Sequence, residues 1–192
     1  MQVKSSDALV VVDVQRDFCP GGALAVEGGD AIIPIINALT GKFRHTAYTR
    51  DWHPGNHCSF SAEPEFVDKS WPGHCIKGTP GAAFHPGLAM AQDALIISKG
   101  MDAEKEAYSA FDGTTFAGDL KQQGVERIFV CGLATDYCVK ATALDGLKYG
   151  FGVVVIEDAS RAVDNPPGTG VEALQAMEEA GAIIIQSKDL EV

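Results

Sequence analysis

Asp51-Trp-His53-Pro-Gly-Asn-His57 sets a carboxylate and an imidazole two residues apart, and on an extended segment such residues project from the same side. His74 follows in Ser70-Trp-Pro-Gly-His-Cys75, so three of the five histidines crowd one short window with Asp51. A second imidazole arriving from that loop would complete a carboxylate-plus-histidine site for a divalent metal, with Asp51, His53 and His74 as ligands. Nitrogen and oxygen donors suit zinc, iron or manganese without choosing among them. His57 is a further ligand or a buttress behind one. The structural alternative is a group of loop histidines held by ordinary hydrogen bonds.

A second set is spread along the chain. Asp13, Lys99 and Cys138 each follow the carboxyl end of an apolar run. Cys138 falls in the first turn of a helix expected from about Asp136. Unpaired N–H groups and the positive end of the helix dipole favour a thiolate there. A cysteine nucleophile needs a proton acceptor and a cationic neighbour, roles open to Asp13 and Lys99. The turn before it offers the N–H groups of Ala134 and Cys138 as an oxyanion hole. Taken singly, each residue has a plain reading: Asp13 a turn former, Lys99 a chain reaching solvent, Cys138 a small buried hydrophobe.

The elements that must bring these residues together are legible from periodicity. Ala8–Val12, His45–Thr49, Asp93–Ser98, Ile128–Cys131, Gly152–Ile156 and Ala182–Ile185 read as buried strands, the fourth broken at Gly132. Helices are expected over Asp30–Leu39, Thr114–Gln123, from Asp136 to about Leu147, and from Thr169 to Gly181. Thr169-Gly-Val-Glu172 reads as a capping box, with Val171, Leu174 and Met177 as that helix's buried stripe. Strands alternating with helices predict an α/β fold: a doubly wound, six-stranded parallel sheet, helices on both faces, three Rossmann-like layers. The carboxyl ends of its strands open on one crevice. Residues 1–192 are read as one domain, with an irregular, aromatic lid or metal-binding insertion over about 51–93.

Totals narrow the function. At 46% apolar and 21% charged residues, the chain is an ordinary globule, and its net charge of −11 argues against a nucleic-acid surface. No segment approaches the ~20 apolar residues of a membrane span, and the first seven residues hold no apolar signal core. Five cysteines without a Cys-x-x-Cys pair do not form a disulfide framework or zinc ribbon. The expectation is a protein of the reducing cytoplasm, monomer or homo-oligomer, acting on a small neutral or cationic molecule.

Asp-Val-Gln-Arg-Asp-Phe (13–18), Arg-Asp-Trp-His-Pro-Gly-Asn-His (50–57), Trp-Pro-Gly-His-Cys (71–75), Lys99, Tyr-Ser-Ala-Phe (108–111) and Gly-Leu-Ala-Thr-Asp-Tyr-Cys-Val (132–139) occur in that order. Together they resemble the nicotinamidases, a family of isochorismatase-like cysteine hydrolases, over nearly the whole chain. The resemblance implies hydrolysis of nicotinamide to nicotinate and ammonia in NAD salvage, usually with tolerance for pyrazinamide. It implies Cys138 as nucleophile, Asp13 as general base and Lys99 as cationic partner. Asp51, His53 and His74 would hold the metal, with His57, Ser59 or water in a fourth position. Phe18, Trp71, Tyr108, Leu133 and Ala134 would wall the pyridine ring, and a cis peptide would precede Ala134. Rival readings are another amidase of the superfamily acting on a carbamoyl or ureido group, an isochorismatase, or a non-catalytic metal-binding or thiol-redox module. Isochorismatases typically lack the nucleophilic cysteine, so Cys138 speaks against one.

Overall fold

Residues 8–12 divide their side chains between two cores. Leu9 and Val11 pack with Ile33, Ile36 and Leu39 on one face of a sheet. Ala8, Val10 and Val12 pack with Phe116, Leu120, Val139 and Ala143 on the other. Each fully buried aliphatic side chain contributes roughly 1.5–3 kcal/mol, so a strand apolar on both faces is stable only between two helical layers. The computed structural model, which describes residues 1–66 and 68–191, has that arrangement. Strands β1 (Asp7–Val12), β2 (His45–Asp51), β3 (Leu95–Lys99), β4 (Arg127–Leu133), β5 (Gly152–Arg161) and β6 (Ile183–Ile185) form one sheet in the order β3-β2-β1-β4-β5-β6. Every pairing is parallel. Helix α1 (Ile33–Thr40) covers one face; α2 (Phe116–Gln122), α3 (Lys140–Lys148) and α4 (Thr169–Glu179) contribute to the other. The strand order reverses direction between β1 and β4, and the crevice of a doubly wound sheet lies there.

The structure moves several expected boundaries. β2 runs on through Arg50 and Asp51 because β3 pairs with both, at Ser98 and Lys99. The strands therefore end on their charged residues instead of before them. β4 does not stop at Gly132 but continues to Leu133, with its register to β5 shifted between Val130 and Gly132. Gly132 adopts φ +118, and a side chain there would collide with the Val12 backbone, so glycine permits the strand to pass. β5 extends past Ile156 to Arg161, pairing Ser160 and Arg161 with Gly132 and Leu133 beyond that shift. At α4 the capping box does not form. Gly168 occupies the N-cap without a side-chain bond, and the Thr169 hydroxyl donates to Asp136. The buried face is Gly170, Ala173 and Met177, while Val171 is 60% exposed. The sequence alternation favoured Val171 only because it is apolar.

Between β2 and β3 the described residues include a short 3-10 turn, Pro80–Ala82, and isolated bridges such as His53 to Ile76 and Phe60 to Trp71. All five cysteines are free. Among the described residues, no helix is long and apolar enough to cross a membrane.

Candidate active site and metal centre

Three strand ends bring an acid, an ammonium and a thiol together. Asp13 leaves β1 at φ +50, an uncommon backbone for a residue with a side chain. Its Oδ1 accepts a 2.6 Å hydrogen bond from the Thr49 hydroxyl, and its N–H donates to Thr49 O at 3.2 Å. Its Oδ2 lies 2.9 Å from Lys99 Nζ in a buried ion pair. Lys99 closes β3 with its side chain sealed from solvent. Its Nζ also reaches Asp51 Oδ1 at 2.5 Å, Ala107 O at 3.2 Å and Cys138 Sγ at 3.3 Å. Cys138 lies in a π-helical turn, Thr135–Val139, that runs into α3. The Leu133–Ala134 peptide just before that turn is cis.

Electrostatics assign a resting state. Burial raises the Asp13 carboxyl above its ordinary value, against the pull of Lys99 and with the push of Asp51. Asp51 is opposed by burial too, yet Lys99 and His53 hold it below the usual carboxylate range. Lys99 would lose its proton through burial alone, but Asp13 and Asp51 keep it charged. Burial drives the Cys138 thiol well up; Lys99 pulls the other way, and Asp13 and Asp51 add to the rise. Desolvation, backed by Asp13 and Asp51, thus works against the thiolate expected at the helix N-terminus, and Lys99 is the neighbour that favours it.

Beside this group, ligand atoms of Asp51, His53 and His74 lie within 4.8 Å of one another. His53 Nδ1 donates to Gly100 O at 2.8 Å, and His74 Nδ1 donates to Pro72 O at 2.8 Å. Those carbonyls orient each imidazole with its Nε2 away from them, and His53 Nε2 faces Asp51 Oδ2 at 3.5 Å; burial lowers the His53 proton affinity, but Asp51 raises it overall, so a bound ion would displace a proton there. Burial lowers His74 toward the neutral form a ligand requires. The three donors therefore fit a divalent ion. Asp13, Asp51 and Cys138 are also mutually close, but Lys99 Nζ already supplies the cation there.

His57 is differently engaged. Its Nδ1 accepts from the Ser59 hydroxyl at 2.8 Å, and its Nε2 donates to Lys105 O at 3.2 Å. Its ring packs against that of His53, centroids 4.1 Å apart and tilted by 38°, and its ligand atoms also lie within 4.8 Å of those of His53 and Glu106. Ser59 is buried and spends its hydroxyl on His57.

A cavity of about 200 Å³ opens over Cys138, Asp51 and His74. Phe18, Trp71, Tyr108, Leu133 and Ala134 all line it. Trp71 Nε1 donates to Tyr108 OH at 3.1 Å, which holds two ring walls together. The volume suits one small aromatic ring, below the ~300 Å³ at which drug-sized pockets begin.

Sequence reasoning missed Tyr137, Phe66, Val163 and Asn165 as further lining residues. It also missed Gln15, whose buried amide donates to Asp51 O and Ala82 O at 2.9 Å and accepts from Asp51 N at 2.8 Å. Gln15 thus fixes the end of β2 on the side away from β3, beyond the last pairing with β1 at Tyr48. Asp17 does similar work for His74: its Oδ2 accepts the Cys75 N–H at 2.7 Å. Both lie inside the 13–18 motif, which was the available signal.

Comparison with known proteins shows the family. The isochorismatase domain matches residues 7–189. A nicotinamidase of Acinetobacter baylyi is 40% identical over 208 aligned residues, covering 99% of this chain and 97% of that protein. A pyrazinamidase of Pyrococcus horikoshii, solved in complex with zinc, is 46% identical with a TM-score of 0.85, covering 94% of this chain and 99% of its own. An L. infantum protein solved in complex with nicotinate is 40% identical with a TM-score of 0.90, covering 100% and 98%.

Proposed function

This chain belongs to the isochorismatase-domain family, and from that premise we propose that it works as a nicotinamidase, hydrolysing nicotinamide to nicotinate and ammonia. Pyrazinamide, which presents the same ring carboxamide, is a second substrate. The observation that carries the reading is that Cys138, which lines a ring-sized cavity, meets Lys99 and through it Asp13 beneath that cavity, beside Asp51, His53 and His74.

The chemistry follows from the resting charges. Asp13, in its ionised form and with Oδ2 held 2.9 Å from Lys99 Nζ, takes the Cys138 proton as the thiolate attacks the carboxamide carbon. Its raised affinity for a proton makes it a better base than an exposed carboxylate. Lys99 stays charged throughout and stabilises the thiolate as it forms. Backbone N–H groups of Ala134 and Cys138 receive the oxyanion. Asp13 then returns its proton to the leaving nitrogen, releasing ammonia and leaving a thioester. Water, deprotonated by the same carboxylate, hydrolyses the thioester to nicotinate and restores the thiol.

Asp51, His53 and His74 would hold a divalent ion, which when bound supplies a Lewis acid to anchor the ring nitrogen. Zinc, present in the Pyrococcus relative, is the first candidate. The nicotinate bound to the L. infantum relative matches the expected product. Five unpaired thiols suit a reducing cytoplasm. A coupled assay for ammonia, with nicotinate identified by chromatography, tests the reading directly. Release from nicotinamide supports it; metal uptake without release overturns it.

A further inference from the structure

Asp136 stands two residues before Cys138, in the same π-helical turn. Its carboxylate binds a different segment of the chain, residues 162–168, which connects β5 to α4. Oδ1 accepts the Val163 N–H at 2.9 Å. Oδ2 accepts the Asp164 N–H at 2.9 Å and the Thr169 hydroxyl at 2.8 Å. Asp164 folds the segment back on itself, at φ +54, with Oδ1 accepting from Gly168 N at 2.9 Å and Gly170 N at 3.0 Å. Val163 and Asn165 from this segment line the cavity over Cys138. One charged side chain thus ties a wall of the substrate cavity to the turn that carries the thiol.

We propose that Asp136 is a positioning residue that latches the 162–168 wall onto the ring cavity, so that it governs substrate capture and not bond breaking. Hydrogen bonds to an ionised acceptor are about twice as strong as neutral ones, and this acceptor holds two donors of the segment and a third from Thr169, where α4 begins. None of Asp136's hydrogen-bonding partners belongs to the Asp13–Lys99–Cys138 group, whose own contacts run to Thr49, Asp51 and Ala107. Without the carboxylate, Val163 and Asp164 lose their acceptor and the unusual backbone at Asp164 loses its support. The wall then opens while the nucleophile keeps its acid and its ammonium.

The kinetic half of this inference rests on the amide-hydrolysis reading; the structural half does not. Asp136→Ala, made in the full chain and loaded with zinc, is compared with the unsubstituted protein by steady-state kinetics on nicotinamide and by amide hydrogen exchange. The expected result is a KM raised about tenfold or more, the scale of one lost charge-assisted hydrogen bond, with kcat within about threefold. Exchange over 162–169 should quicken while β1 and β3 stay protected. Thr169→Val, which removes one bond of the three, should give a smaller rise in KM. Should Asp136→Ala fail to fold, Asp136→Asn keeps one acceptor oxygen and is expected to fall between the two. A kcat loss at unchanged KM would overturn the proposal by assigning Asp136 to the nucleophile turn. Unchanged exchange, or faster exchange at unaltered KM, would overturn it as well. Absence of turnover in the unsubstituted protein sinks the nicotinamidase reading instead, and the exchange comparison still decides whether the latch exists.

Discussion

Lys99 Nζ lies 3.3 Å from Cys138 Sγ, inside a shell closed to solvent. The ammonium cannot leave for water, and it is shared between the thiol and two carboxylates, Asp13 and Asp51. This sharing couples the two halves of the site. Asp51 accepts from Lys99 through Oδ1 and faces His53 through Oδ2, so one carboxylate belongs both to the catalytic group and to the metal centre.

Removing that cation should be costly. Lys99→Met leaves Asp13 and Asp51 buried without their shared partner, and breaking a buried ion pair from one side costs about 3–5 kcal/mol. Urea denaturation should show the midpoint falling sharply, with turnover lost. A midpoint equal to that of the parent would mean the pair is not buried as described.

The pH profile should carry the mark of Asp13. Its folded-state proton affinity is raised, so it stays protonated to a higher pH than a free carboxyl near 3.8. Activity needs it ionised, and kcat/KM should therefore rise with pH along an acid limb displaced above that value. Asp13→Asn should abolish the limb and lower kcat by about 10²–10⁴, the usual worth of a general base. The linked stability term of Asp51 has the opposite sense: its proton affinity is lowered, so its contribution is full above 3.8 and fades as pH falls toward the depressed value. A limb centred below 3.8 would place the base elsewhere.

Gly100 offers a test of the metal centre without touching a ligand. It adopts φ +62, and a side chain there would strike the His53 ring, whose Nδ1 its carbonyl holds. Gly100→Ala should weaken zinc binding by about 10–100-fold, as loss of an outer partner does. His53→Ala should remove the ion and act mainly on KM. Isothermal titration and elemental analysis measure both; stoichiometric metal in His53→Ala would refute the ligand set.

Much of this was legible in the chain because strand interiors and strand ends differ in chemistry. Leu9 to Val12 could only be a strand covered twice, and Asp13 after it was conspicuous as a charge entering a crevice. Gly132 misled, since a glycine inside an apolar run signals a break as readily as a close approach to Val12. Val171 misled because apolarity marks a candidate for burial without showing which way a helix faces. Gln15 and Asp136 were invisible as positioning groups, because their partners lie 27 to 67 residues away along the chain. The upward pressure on the Cys138 thiol was equally hidden: it comes first from burial, which Lys99 opposes and Asp13 and Asp51 reinforce, and only coordinates reveal that burial.

The most direct test compares the zinc-loaded protein with its Cys138→Ala variant on nicotinamide. Acid-quenched samples are read for ammonia, nicotinate and a nicotinoyl adduct on the peptide containing residue 138. The unsubstituted protein should release both products and yield the thioester adduct. The variant should keep its metal, lose at least about 10³-fold in rate and show no adduct. Turnover by the variant within a few-fold of the parent would contradict covalent catalysis by Cys138.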